Sequence, residues 1–290
     1  LMLNIDLHSH STVSDGLLSP EDLVQRAASR GVQVLAVTDH DDIGGLARAR
    51  QAAIRHGVHL INGVEISVSW SSQTLHIVGL RIDPQSPPLL RGLEVIRSSR
   101  AARAQGIAAD LDKSGIHGSL AGASRYAGNP NLIGRAHFAR YLVERGYAGD
   151  VKSIFRKYLN RGKPGYVEHS WVTLADAVSW IRNSGGTAVM AHPGRYSIST
   201  VQMRQLLAEF KELGGAALEV VTGSHTPEQY AIFARYAKQF NLFASVGSDY
   251  HGPGESYRDI GQLPELPEGC QPVWQQWSDL MAGFSARVNT

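Results

Sequence analysis

The chain alternates short apolar runs with longer amphipathic ones. Seven runs are rich in β-branched residues and end in polar or charged groups: LNIDLHSH (3–10), VQVLAVTDH (32–40), HLINGVEISVSW (59–70), TLHIVGLRI (74–82), TAVMAHP (187–193), ALEVVTG (217–223) and FASVGSDYH (243–251). Apolar character sustained over so few residues predicts buried strands. Between many of them apolar positions recur at helical spacing. SPEDLVQRAASRG (19–31) has Ser at the N-cap, Pro in the first turn and Gly at the stop; GLARARQAAIRHG (45–57) and TPEQYAIFARYAKQF (226–240) are similar. Strands alternating with helices predict βαβ units and a mainly parallel sheet.

Residues 92–164 break that rhythm. They read as three helical stretches, LEVIRSSRAARAQGIAADLDKSG, IGRAHFARYLVERG and VKSIFRKYLNRGKPG, with no strand among them. The pattern predicts an α/β barrel formed by residues 1–91 and 165–290, interrupted by a helical insertion over 92–164. The Pro-rich tail from Leu263 carries Trp274 and Trp277, which are expected to pack rather than bind.

Composition narrows the class. A chain of 290 residues with 43% hydrophobic and 19% charged residues is ordinary for a soluble globular enzyme. No apolar run approaches the roughly 18 residues needed to cross a bilayer. The start of the sequence lacks the basic and apolar pattern of a secretory leader, so a cytoplasmic location is expected. A single cysteine, Cys270, excludes an internal disulfide and a Cys-rich zinc site. The net charge of +2 hides an asymmetry: Arg91–Gly165 holds 14 Lys+Arg against 5 Asp+Glu, and the remainder holds 14 against 21. A basic segment inside an acidic body suggests an anionic ligand, although a solvated helical face gives the same count.

The strand ends carry the chemistry. In parallel α/β sheets and barrels, reactive groups collect beyond the carboxyl ends of the strands. Here those ends supply His8 and His10, Asp39-His40, Glu65, His76, His192, and Asp249 with His251, while Asp15 follows in the first loop. A period of two points His8 and His10 to one face, where one ion takes both imidazoles. Any one of these residues has a plain alternative: a satisfied core histidine, a salt-bridge partner for Glu65, a helix N-cap for Asp39 or Asp41. Six of the twelve histidines and three carboxylates at six strand ends point instead to metal. Nine donors exceed the needs of one ion, so two or three ions are expected, with Glu65 a natural bridge.

These elements, DLHSHS, TDHD, Glu65, His76, AHP (191–193) and GSDYH (247–251), resemble the polymerase and histidinol phosphatase (PHP) superfamily. The resemblance implies a distorted (β/α)7 barrel with up to three metal ions. It implies that His8, His10, Glu65 and Asp249 hold one ion, that Glu65, His76 and His192 hold a second, and that Asp15, His40 and His251 hold a third. Some members have histidine where Asp15 stands. The harder carboxylate favours Mn²⁺, Mg²⁺ or Fe²⁺ over Zn²⁺ there, with Mn²⁺ the first expectation. The pieces RSSRAARAQGIAADL and IGRAHFARYLVERGYAGDVKSIFRKYLNRGKPGYV resemble one branch, which holds nucleoside 3′,5′-bisphosphate phosphatases and related 5′–3′ exoribonucleases. The branch implies release of the 3′-phosphate from a substrate such as adenosine 3′,5′-bisphosphate, leaving the 5′-monophosphate.

In that chemistry clustered divalent ions acidify water and stabilise the phosphoryl oxygens, and no Ser or Cys nucleophile is needed. Glu65 is the candidate catalytic carboxylate. His225, after the sixth strand, is the candidate to protonate the leaving alkoxide. Arg100, Arg103 and Arg135 are candidates to clamp substrate phosphates, with Lys163 on the basic rim. Four alternatives share parts of this pattern. A 5′–3′ exoribonuclease on short RNA uses the same metals with an open groove, and a histidinol-phosphatase-type enzyme uses them on another phosphomonoester. A non-enzymatic metal-binding module conflicts with the intact donor set. A hydrolase of the HxH amidohydrolase type needs a ligating lysine on a middle strand, and these strands carry none. Neither a membrane nor an obligate protein partner is expected.

Overall fold

A computed structural model describes residues 3–280 and Ala282. In chain order the strands are β1 (Ile5–Asp6), β2 (Val34–Val37), β3 (His59–Trp70), β4 (Gln73–Leu80), β5 (Val172–Thr173), β6 (Thr187–Met190), β7 (Ala217–Thr222) and β8 (Phe243–Gly247). The α-helices are α1 (Pro20–Ser29), α2 (Leu46–His56), α3 (Pro87–Lys113), α4 (Ser119–Ser124), α5 (Arg135–Glu144), α6 (Val151–Ile154), α7 (Leu174–Asn183), α8 (Thr200–Glu212) and α9 (Pro227–Gln239). The sheet order is β1-β2-β3-β4-β6-β7-β8, with β5 paired to β3. The ends meet: Leu7 N–H donates to Val246 O at 3.0 Å, and Asp249 N–H donates to His8 O at 2.9 Å. The result is the distorted α/β barrel expected from the resemblance.

One strand departs from the expected parallel sheet. β4 runs antiparallel to both β3 and β6. Only Ser71 and Ser72 separate β3 from β4, and both have positive φ, 45° and 61°. Two such residues close a hairpin, whereas a parallel return needs a crossover of a dozen residues or more. His76 therefore lies near the start of an antiparallel strand, which places it at the same rim as the other donors.

The helices form where their caps say. Ser19, Thr173, Ser199 and Thr226 each accept a backbone N–H of the first turn of α1, α7, α8 and α9. Leu7, Val34, Val64, Ile77, Val189 and Val246 fill the main core, and Trp277 packs there as expected. The insertion has its own core of Ala104, Ile107, Leu111, Phe138, Leu142 and Leu159. No break falls at residue 92: α3 runs unbroken from the first core (Leu89, Leu93, Ile96) into the second. A continuous helix couples the insertion to the barrel wall, and Arg140 of α5 ties it to the barrel mouth by donating to Asp15 O and to Glu255. Among the described residues no helix is long and apolar enough to cross a membrane.

Candidate metal centre

All nine expected donors converge at the barrel mouth. Glu65 is fully buried and central. Its Oε2 lies 3.2 Å from His8 Nε2, 3.2 Å from His10 Nε2 and 3.0 Å from His40 Nδ1. Its Oε1 lies 2.9 Å from both His76 Nδ1 and His192 Nε2. Asp249 Oδ1 completes the inner group, 3.2 Å from His10 Nε2 and 3.4 Å from His8 Nε2. Nearer the solvent, Asp15 lies 3.3 Å from His251 Nε2 and 3.8 Å from His40 Nε2. The resulting groups are His8-His10-Glu65-Asp249, His40-Glu65-His76 and His10-Asp15-His40-His251, with His192 against Glu65 and His76. Two imidazoles face two groups each: His10 turns Nε2 inward and Nδ1 toward Asp15, whereas His40 turns Nδ1 toward Glu65 and Nε2 toward Asp15. That double duty is the structure's addition to the expected ligand sets.

The donor set fits divalent ions. Ligands about 2.1 Å from one ion stand roughly 3.0–3.4 Å apart, the spacing found here. Glu65 Oε2 and His40 Nδ1 are buried without a hydrogen-bond partner, although nitrogen and oxygen atoms crowd around them. Buried polar atoms are nearly always satisfied, and lone pairs that converge without hydrogen bonds await a cation. Charge agrees. Burial opposes ionisation of Glu65, yet the facing imidazoles, the charged His8 and His10 among them, hold its carboxyl well below the usual range. Asp249 is likewise held well down against burial, by His8, His251, His10 and Arg195. Burial drives His40 well below its ordinary value and His192 down to about 3, so both are neutral and present lone pairs. Against burial, carboxylates push His8 well up and His10 to about 10, the response of a pocket that wants positive charge.

A surrounding set of carboxylates fixes these donors. Glu219 sits inside the apolar run of β7. Its Oε1 accepts from His8 Nδ1 at 2.7 Å and its Oε2 from the His192 N–H at 2.6 Å. Asp39 accepts from Ser11 N–H at 2.8 Å, Ser11 Oγ at 2.7 Å and Ser14 Oγ at 2.6 Å, which pins the loop bearing Asp15. Asp41 accepts from Ser67 N–H at 2.8 Å, from Ser67 Oγ at 2.9 Å and from Arg100. Neither Asp39 nor Asp41 caps a helix, so that plain alternative is set aside. His192 and Asp249 hold φ values of 25° and 55°, a strained backbone that persists where surrounding contacts enforce it. Gly247 allows the close approach, since a Cβ there would strike the His8 side chain.

Glu219 was not legible as a site residue, although a carboxylate inside ALEVV is itself a signal of a buried partner. Ligating histidines are oriented by such second hydrogen bonds, and their loss weakens metal affinity about 10- to 100-fold. Glu219→Gln retains one acceptor oxygen for two donors and turns an NH₂ toward the other. The variant is expected to bind Mn²⁺ about 10- to 100-fold more weakly in chelator competition. Wild-type affinity would show that Glu219 only fills space.

The remaining expected residues divide. His225 is engaged at both ring nitrogens: Nδ1 donates to Val220 O at 3.0 Å, and Nε2 accepts from Gly194 N–H at 2.9 Å. Burial pushes its pKa down to about 4, and the ring stacks on Phe233. Neither nitrogen is free to carry a proton to a leaving group; the imidazole instead holds the turn after His192. Arg100 is buried against Asp41 and Ser67 and stacks on Trp171. Arg103 and Arg135 differ, because among the described residues neither has a carboxylate partner. Arg103 Nε is buried and unpartnered. Burial, Arg135 and Arg100 push the Arg103 guanidinium down to about 9, and burial also lowers Arg135. Arg195, not singled out from the sequence, donates to Asp249 Oδ2 at 2.8 Å and so links the metal donors to this arginine group. Lys163 is exposed.

A mouth of clustered imidazoles and carboxylates on a distorted barrel defines the class: the PHP domain family matches residues 6–222, and the chain belongs to it. Within the family, the chain is 50% identical over 275 residues to a 3′,5′-nucleoside bisphosphate phosphatase of Chromobacterium violaceum, covering 95% of this chain and 96% of that one. It is 45% identical over 274 residues to the 5′–3′ exoribonuclease Rnm of Escherichia coli, covering 94% and 93%. A solved structure from Chromobacterium violaceum, described as an amidohydrolase with bound sulfate and no metal, superposes with a TM-score of 0.92 at 49% identity, covering 95% and 96%. Both activities expected of the branch thus occur among the names of its relatives. Among the described residues no strand carries the lysine that the amidohydrolase alternative needs.

Proposed function

We propose that the protein is a metal-dependent phosphatase that removes the 3′-phosphate from nucleoside 3′,5′-bisphosphates, converting adenosine 3′,5′-bisphosphate to AMP in the cytoplasm. The observation that carries this reading is the pairing of two anion-seeking features at one mouth. One is the donor cluster around Glu65, which would hold the ions that bind the scissile phosphate. The other is Arg103 and Arg135, cationic groups without acidic partners among the described residues, which suit the second phosphate. Up to three ions are expected, Mn²⁺ foremost, with Mg²⁺, Fe²⁺ and Zn²⁺ as alternatives. Divalent ions in such a cluster supply an acidified water and neutralise charge on the phosphoryl oxygens. The chain's own residues do the rest. Glu65 and Asp249 hold charge against the cluster, Glu219 aims His8, and the arginines orient the substrate so that water attacks in line.

The arginine assignment predicts a coupling. A charge-assisted contact is worth roughly 1.5–3 kcal/mol, so Arg135→Ala is expected to cost about 10- to 100-fold in kcat/KM on adenosine 3′,5′-bisphosphate. The loss on adenosine 3′-monophosphate, which lacks the second phosphate, should be much smaller. Equal losses on both substrates would mean that Arg135 does not read the 5′-phosphate. Arg100 is a poor choice for this test, because its removal strands the buried Asp41 charge.

A second reading, a 5′–3′ exoribonuclease on short RNA, is favoured by one feature. Lys152, Arg156, Lys157, Arg161 and Lys163 form an exposed basic run over 152–163. Such a run suits the backbone of a longer strand.

A further inference from the structure

Nothing described so far holds the nucleobase. The inner cluster is polar throughout, and a base that enters with its two phosphates must rest outside it. The rim beside His251 offers a place. His251 N–H and Gly252 N–H both donate to Ser256 Oγ, at 2.8 and 3.2 Å, so residues 251–256 form a tight turn anchored on a metal-ligand candidate. The next residue, Tyr257, is 67% exposed and is the one aromatic among the exposed large apolar side chains described. An exposed aromatic alone is unremarkable on a surface. This one is held in place. Lys152 Nζ, from α6, lies 4.0 Å from the ring centroid. A cation on one face of the ring leaves the other for a ligand. Tyr257 also lies within electrostatic reach of Arg195, which binds Asp249. Leu17, itself exposed, is bonded through its N–H to His251 O and packs against Gly252 in the same turn.

The geometry points to Tyr257 as the platform on which the nucleobase of the substrate stacks, with Lys152 fixing the ring from behind. The inference rests on the nucleotide reading above. Stacking is sequence-tolerant because every base has a π-face, so the platform accepts purines and pyrimidines alike. Tyr257 acts on binding and touches no reacting bond, so its loss should raise KM and leave kcat near its wild-type value.

The test compares substrates with and without a base. Tyr257→Ala is expected to raise KM for adenosine 3′,5′-bisphosphate about tenfold, and to change KM for ribose 3,5-bisphosphate less than twofold. Tyr257→Phe keeps the ring and should match wild type on both. In parallel, calorimetry of AMP and ribose 5-phosphate binding should show AMP affinity falling about tenfold in Tyr257→Ala and ribose 5-phosphate affinity unchanged. Equal changes on both members of either pair, or no change for AMP, would overturn the platform. A wild-type protein that binds AMP but hydrolyses neither bisphosphate would refute the catalytic reading, while the calorimetric pair still decides the role of Tyr257.

Discussion

Glu65→Gln is expected to lower turnover by about a hundred- to a thousandfold or more while the protein stays folded. The carboxylate is the centre of the cluster. Its two oxygens face five imidazoles, three on Oε2 and two on Oε1. Among the described residues Glu65 is the donor common to the His8-His10-Asp249 group and the His40-His76 group, and it also faces His192. The amide keeps the shape but loses the negative charge, and its NH₂ would point at lone pairs meant for an ion. Thermal unfolding should shift little, because relieving a buried charge offsets the lost contacts. Metal content per chain should fall with activity. Wild-type turnover with full metal content would show that Glu65 only supports the barrel.

Demetallation is expected to abolish phosphate release entirely, and single additions of ions should restore it, Mn²⁺ best. The motive is the spacing of the donors and the two orphaned polar atoms at their centre. In the metal-free protein, burial and the neighbouring His10 and His76 keep His40 neutral, whereas carboxylates keep His8 and His10 protonated. Binding must therefore displace protons, so metal affinity should strengthen as pH rises. Full turnover after verified removal of metal would end the account of the centre.

Much of this site is written in residue spacing. His8 and His10 share a face because a strand has period two, and their place at the end of an apolar run puts them at the barrel mouth. His40, His192 and Asp249 follow from the same logic at other strand ends. What spacing does not carry is the choice of partner. Asp39 and Asp41 look like helix caps beside their helix, but they face inward to Ser11, Ser14, Ser67 and Arg100, residues far away in sequence. Arg100 reads as a phosphate clamp until Asp41 is seen against it. His225 reads as an acid until Val220 and Gly194 are seen at its nitrogens. The antiparallel course of β4 was within reach, since the three residues between the runs 59–70 and 74–82 leave no room for a crossover. The meeting of Arg103 from α3 with Arg135 from α5 was not, because it depends on how the insertion folds back on itself.

The central claim is a cluster built for one phosphate beside an arginine group built for another. Product analysis by ³¹P NMR tests it most directly, with Mn²⁺-loaded protein and adenosine 3′,5′-bisphosphate as the only substrate. The expected products are inorganic phosphate and AMP in equal amounts, with the 5′-phosphate signal retained. Adenosine 3′-monophosphate as product, or no phosphate release from the bisphosphate by fully metal-loaded protein, would contradict it.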